Sequence, residues 1–333
     1  IFMGAIIGSA KDDIKKSLAG STMSQIGYMV FAAGLGPIGY VYAIFHLLTH
    51  GVFKAGLFLG AGSVMHGMND NVNMRRYGAL RGVMGVTFVT FMAGYLAIIG
   101  IPPFAGFWSK DEIIHAAFER NSIIGAAAIL AAGVTGFYMT RMIAMTFFGK
   151  KRWEGDAHPH ESPSVMTIPL VLLALGSVFL GMALLFWGDI KDWLKPVVGY
   201  ESVPTPLPTS FYIAVTLIVV IIGAIIGWVM YARRDVPIEA PTGNALTRAA
   251  RQDLYGDAVN DVLVVQPTYR AAEIITTFDN KAVDGFVNWT GSFVGDLARR
   301  LRRSQSGFAR SYALSMVGGA LIVAIALVLV VLS

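Results

Sequence analysis

The chain has 333 residues, of which 55% are hydrophobic and only 14% charged, with a mean hydropathy of +0.61. Soluble domains carry about a quarter charged residues, so this composition excludes a soluble fold and indicates a multi-pass integral membrane protein. Cysteine is absent, which excludes disulfides, thiolate metal sites and iron–sulfur ligation, and the net charge of +5 reads as loop charge that orients spans, not as a nucleic-acid footprint.

The chain opens as Ile1-Phe2-Met3 in mid-apolar run, without a charged signal-peptide region, and is expected to be the C-terminal portion of a longer protein. Ile1 to Ser9 reads as the tail of a span, and Lys11 to Lys16 as a charged connector holding Asp12, Asp13 and Lys15. Ser21 to Leu35 is a short span with a polar stripe of Ser21, Ser24, Gln25 and Tyr28, ended by Gly36-Pro37. A longer span runs from about Gly39 to Met65, followed by a basic loop from Asn69 to Arg81.

The apolar stretch from Val83 to Phe118 is interrupted by Ile101-Pro102-Pro103-Phe104-Ala105-Gly106. Two prolines without backbone donors and a nearby glycine predict a broken helix. Such a break is tolerated at membrane depth only where the freed backbone is buried in protein or lines a wet cavity. Lys110, Asp111 and Glu112 follow within a few residues. Ionisable groups at that depth are costly and mark ion or proton paths. The blander reading has Lys110 snorkelling to the interface and the two acids complementing a helix dipole.

Further spans are predicted at Ile123–Phe148, Val165–Trp187, Ser210–Ala232 and Tyr312–Leu332, each near the ~20 residues that a crossing needs. Arg141, near one end of its span, reads as a snorkelling cation, and the Pro-rich stretch Lys195 to Pro208 as a loop. His66 and His115 fall near span ends, and His158 and His160 in a solvated loop. If every span crosses once, the basic clusters at Lys11/Lys15/Lys16, Arg75/Arg76/Arg81, Lys150–Arg152, Arg233/Arg234 and Arg299–Arg303 all lie on one side, the cytoplasmic or matrix side. From Thr268, apolar residues from Ile274 to Leu301 recur every three or four positions between charged ones. They predict an amphipathic helix of about 36 residues and about 54 Å, read as a lateral brace on partner proteins or, more plainly, as an interfacial helix.

Within the span Gly39–Met65, His46, His50 and Lys54 stand four residues apart. Offsets of ~40° put all three on one face over about 12 Å of rise. Protonatable groups at ~6 Å steps suit a proton relay. Burial disfavours a charged lysine and a nearby carboxylate favours it, so Lys54 and Lys110 become switchable. Alternatively the two histidines bond neighbouring helices. A zinc site is disfavoured by the cation on the same face.

The segments KKSLAGSTMSQIGY at Lys15–Tyr28, preceded by Asp13-Ile14, then HLLTHGVFKA at His46–Ala55, and GIPPFAGFWSKDEI at Gly100–Ile113, resemble the antiporter-like membrane subunits of respiratory complex I (NADH-quinone oxidoreductase), subunit L among them. The resemblance spans essentially the whole chain. It implies an all-α, polytopic transmembrane bundle with a discontinuous helix and a long lateral amphipathic helix. The implied division is 1–232 for the second half-channel of the antiporter-like bundle, 233–310 for the connector and lateral helix, and 311–333 for a final span. It further implies that Lys110 is the terminal lysine and Lys54 the central one, with His46 and His50 linking them, Asp111 beside Lys110, and Asp13 and Lys15 a connector pair. The implied function is proton translocation driven by redox chemistry elsewhere, in a bacterial plasma membrane. NADH, FMN, iron–sulfur clusters and quinone would be held by other subunits and no cofactor or metal by this chain; the partners would be the bilayer and the related subunits M and N, with no nucleic acid. Cation/proton antiporter subunits of the Mrp type share the fold and supply the rival reading; a structural clamp built on the lateral helix is a third.

Overall fold

The computed structural model describes residues 1–153, 157–199, 205, 207–305 and 307–332. Among them there is no strand; one isolated bridge joins Asp13 to Asn73. By its contacts the chain divides into two units, Ile1–Gly256 and Asp257–Ser333.

The first unit is a helix bundle: α1 (Phe2–Ala10), α2 (Ile14–Gly34), α3 (Pro37–Gly67), α4 (Gly85–Ile99), α5 (Ala105–Arg120), α6 (Ser122–Phe147), α7 (Ser164–Phe186), α8 (Ile190–Val198), α9 (Thr209–Tyr231) and α10 (Ala245–Arg251). Among the described residues, α3, α6, α7, α9 and a last helix, Ala309–Leu332, are long and apolar enough to cross a membrane. With the predicted spans thus matched by helices, the chain is a multi-pass membrane protein. Asp13 caps α2 by accepting from Lys16 N at 3.0 Å, the usual role of a short acid before a first turn. The polar stripe of α2, Ser21, Ser24, Gln25 and Tyr28, is buried, so this helix turns its hydrophilic face inward. Helices α6 and α9 meet through small residues: a Cβ on Gly223 would stand 2.0 Å from Gly133 O. Apolar solvent gives no hydrophobic drive for association, so close backbone approach of this kind supplies the packing.

Within the first unit, the basic residues from the Lys11, Arg75 and Lys150–Arg152 clusters and the segment after Arg234 meet at one end of the bundle. Asp12, on the α1–α2 link, lies 2.7 Å from Arg75 Nε and is also paired with Arg141 NH2, whose NH1 donates to Lys11 O at 2.6 Å. Arg152 Nε donates to Arg75 O at 2.9 Å, and Lys150 pairs with Asp235 at 2.9 Å. Arg141 corrects the snorkelling expectation. It is 2% exposed, because a carboxylate 129 residues away in sequence compensates its charge inside the bundle. The Pro-rich stretch from Lys195 also needs correction at its start. Residues 190–198 form α8, since Ile190 and Leu194 are buried against Val41 and Phe45 of α3. The rest of that stretch, apart from 199, 205, 207 and 208, lies outside the described residues.

The second unit is helical from its start to Ser304: α11 (Gly256–Asn260, whose first residue closes the first unit), α12 (Gln266–Phe278) and α13 (Asp284–Ser304), joined by π-turns at Asp261–Val265 and Asp279–Val283. The run begins earlier than Thr268 and reaches on the order of 70 Å at 1.5 Å per residue. Apolar residues spaced mostly four apart drift around an ideal helix; the wider i→i+5 turns take up part of that drift. Phe286, Trp289 and Phe293 stack along it, with ring centroids 5.8 and 5.4 Å apart. The last helix, α14 (Ala309–Leu332), has the composition of a span.

Candidate functional site

The predicted break is present, and its geometry follows from the sequence. Helix α4 ends on Gly100, which adopts φ +82°. Gly100 N donates to Ala97 O at 3.0 Å and Ile101 N to Leu96 O at 3.0 Å, the pair of bonds that closes a helix on a left-handed glycine. The Pro102–Pro103 peptide is cis. Helix α5 then starts against the end of α4, so closely that a Cβ on Gly106 would stand 1.9 Å from Ala97 O. One carbonyl of the last turn, Ile98 O, takes no part in the closing pair and accepts instead from Lys110 Nζ at 3.4 Å. The break thus creates the acceptor for the ammonium, at the negative end of the α4 dipole. Lys110 is 1% exposed and its ammonium also lies 5.3 Å from the centre of the Tyr28 ring.

Helix α3 presents its row to the same interior. His46 is 0%, His50 5% and Lys54 5% exposed. Lys54 Nζ donates to Leu18 O at 2.8 Å and to Ser21 Oγ, both on α2. The His50 ring is 5.8 Å from that of His46 and edge-on to Phe53 at 5.3 Å. His46 Nε2 lies 3.2 Å from Gln25 Oε1, and His46 Nδ1 2.9 Å from Ser109 Oγ, which is 2.8 Å from Thr49 Oγ1. With the Gln25 oxygen as acceptor, a neutral His46 donates from Nε2 and accepts from Ser109 at Nδ1, while Thr49 donates to Ser109. A protonated His46 must donate from both nitrogens. Ser109 then turns its hydroxyl toward Ala105 O, 3.4 Å away. The site can therefore take a proton with one hydroxyl rotation.

His46, His50, Lys54 and Lys110 are thus gathered along one buried polar seam, with Ser109 the residue next to Lys110 and bonded to His46. Asp111 lies half-buried on α5, its Oδ2 without a hydrogen-bond partner. Asp13 and Lys15 stand apart at the basic end, Asp13 as the α2 cap and Lys15 exposed. Sequence reasoning missed Ser109 and Thr49. It noted Ser21 and Gln25 only as a stripe, although a buried polar stripe facing a neighbouring row of imidazoles is itself the signal. Ser24 Oγ, Gln25 Nε2 and Tyr138 OH extend the seam; Tyr138 faces the other two, though none of these atoms makes a hydrogen bond of regular geometry.

A bundle of this fold, with lysines and histidines buried around a broken helix, defines an antiporter-like membrane subunit. The chain matches, over residues 1–137, the family described as NADH:quinone oxidoreductase/Mrp antiporter, transmembrane. More particularly, it is 55% identical over 99% of its length to NADH-quinone oxidoreductase subunit L of Mycobacterium tuberculosis, covering 53% of that protein. It is 38% identical over 96% of its length to NAD(P)H-quinone oxidoreductase chain 5 of a Picosynechococcus species, again covering 53%. The chain therefore spans about half the length of these relatives. Two solved structures share the fold. The Mrp complex of a Dietzia species aligns with TM-score 0.53 and 22% identity over 64% of this chain and 46% of that one. An archaeal membrane-bound sulfane sulfur reductase aligns with TM-score 0.54 and 24% identity over 97% of this chain and 54% of that one.

Proposed function

We propose that this chain forms the second half-channel of a proton-translocating subunit of NADH-quinone oxidoreductase, in a bacterial plasma membrane. Protons pass along Lys54, His50 and His46 and reach Lys110 through Ser109, driven by electron transfer in other subunits. NADH, FMN, iron–sulfur clusters and quinone belong to those subunits; this chain supplies the protonatable groups. Subunits M and N are the neighbours, braced by the amphipathic helix of Gly256–Ser304. Asp13 and Lys15 belong to the connector on the uptake side.

The observation that carries this reading is the buried row of Lys54, His50 and His46 on one face of α3, with His46 bonded to Ser109, the residue beside the lysine at the helix break. A positioned proton carrier contributes at least about a hundredfold in rate. In assembled complex reconstituted into vesicles, Lys110→Ala and Lys54→Ala should therefore lower NADH-driven proton pumping at least about tenfold, the remainder passing by other subunits. Normal pumping per assembled complex overturns the proposal. Sodium transport without NADH and quinone would favour the antiporter reading that the family description also admits.

A further inference from the structure

The outward half of α5 carries polar groups that the seam does not use. Lys191 of α8 places Nζ 2.9 Å from Glu112 Oε1 and 5.2 Å from the centre of the Tyr42 ring. Next along that face, His115 Nδ1 lies 3.1 Å from Glu119 Oε1, and His115 Nε2 lies 3.2 Å from Thr209 Oγ1 at the start of α9. Beside these groups is a cavity of about 130 Å³, walled by Trp108 and Leu185 and faced by Asp111, Glu112, His115 and Thr209. At about 30 Å³ each, roughly four waters fit in it. Asp111, whose buried Oδ2 has no partner, is the neighbour of Lys110 in the chain and stands four residues before His115, on the same helix face.

The geometry points to this cavity as the chamber through which protons leave toward the outward face, with His115 as the release group and Lys191 as a positioning residue. This rests on the reading of Lys110 as the last proton carrier. Lys110 passes its proton to the Asp111 carboxylate. The proton then leaves Asp111 Oδ2 through a bridging water and joins His115 Nε2, whose lone pair faces Thr209 because Nδ1 donates to Glu119. The resulting imidazolium is held by the Glu119 carboxylate until it returns the proton to water at the α9 end, restoring neutral His115. Lys191 keeps Glu112, a wall of the chamber, paired as a carboxylate, so that Glu112 does not compete for the proton, and ties α8 to α5. The apolar pair Ile190 and Leu194 anchors the same helix from below, while Trp187 and Trp193, 84% and 72% exposed, have the character of interface aromatics.

The sequence has no cysteine, so Ile213→Cys at the cavity wall gives a unique label site within these 333 residues, and labelling is read against the same complex without that cysteine. In assembled complex in oriented vesicles, a membrane-impermeant maleimide added on the outward side should label it, and several-fold faster when Lys191→Gln is added; Lys191→Arg should restore the slow rate. His115→Gln should lower pumping several-fold with NADH oxidation retained. Absence of outward labelling, or a labelling rate indifferent to Lys191, overturns the chamber. Normal pumping by His115→Gln overturns it too. If Lys110→Ala stops pumping while His115→Gln does not, only the chamber falls; if Lys110→Ala pumps normally, the parent reading falls with it.

Discussion

Two kinds of buried cation occupy this bundle, and they are held differently. Arg141, 2% exposed, lies against the Asp12 carboxylate, which also pairs with Arg75. Lys54 and Lys110, 5% and 1% exposed, hydrogen-bond, among the described residues, to carbonyl and hydroxyl oxygens. The contrast follows from chemistry. A guanidinium stays charged under all physiological conditions, so burying it demands a permanent counter-charge. An ammonium can give up its proton and remain in the same place, bonded to the same neutral oxygens. The arginines fix the frame at the basic end; the lysines are left free to change state in the middle.

That contrast can be broken from either side. The largest effect is expected at the frame. Asp12→Ala leaves two buried guanidinium groups uncompensated, at a cost of about 3–5 kcal/mol, and should deplete assembled complex on a native gel. Arg141→Met with Asp12→Asn removes both charges together and should recover much of the assembly, because a buried pair replaced by matched uncharged groups is often near neutral. Lys54→Arg puts a fixed charge where a switchable one stood. Because no counter-charge faces it, assembly should fall, and the complexes that do assemble should pump at least about tenfold more slowly, whereas a lysine serving only as a structural donor would leave pumping per complex unchanged. Ser109→Ala removes a hydroxyl that bonds His46 and Thr49 and should slow pumping severalfold, with a stability loss of about 1 kcal/mol read from the thermal midpoint of the complex. Lys15→Ala, at an exposed position, should change stability by less than about 0.5 kcal/mol; any effect on pumping larger than that implies would mark it as part of the connector's function.

The parts of this molecule that follow from local rules were legible in the sequence. Pro102, Pro103 and Gly106 announced the broken helix, and the fourfold spacing of His46, His50 and Lys54 announced a shared face. What depended on distant partners was not. Nothing near Arg141 in the chain indicates Asp12, and the burial of a cation is decided by its partner. The bond between His46 and Ser109 spans 63 positions and requires the crossing of α3 and α5 to be known. Helix α8 is only nine residues long with Pro196 inside it, which reads as a loop, and it is stabilised by Val41 and Phe45, residues belonging to another helix. The helical run of the second unit begins before Thr268, where periodicity alone starts it, because the π-turn at Asp261–Val265 shifts the spacing of its apolar residues.

The resting contact of Lys110 is a main-chain oxygen, Ile98 O. Side-chain substitution cannot delete it, and acidification does not protonate it at any physiological pH. Genetic drift can therefore remove this berth only by re-forming a continuous helix through Gly100 and the two prolines. The interruption is thus the heritable feature here, and the lysine's acceptor persists for as long as the interruption does.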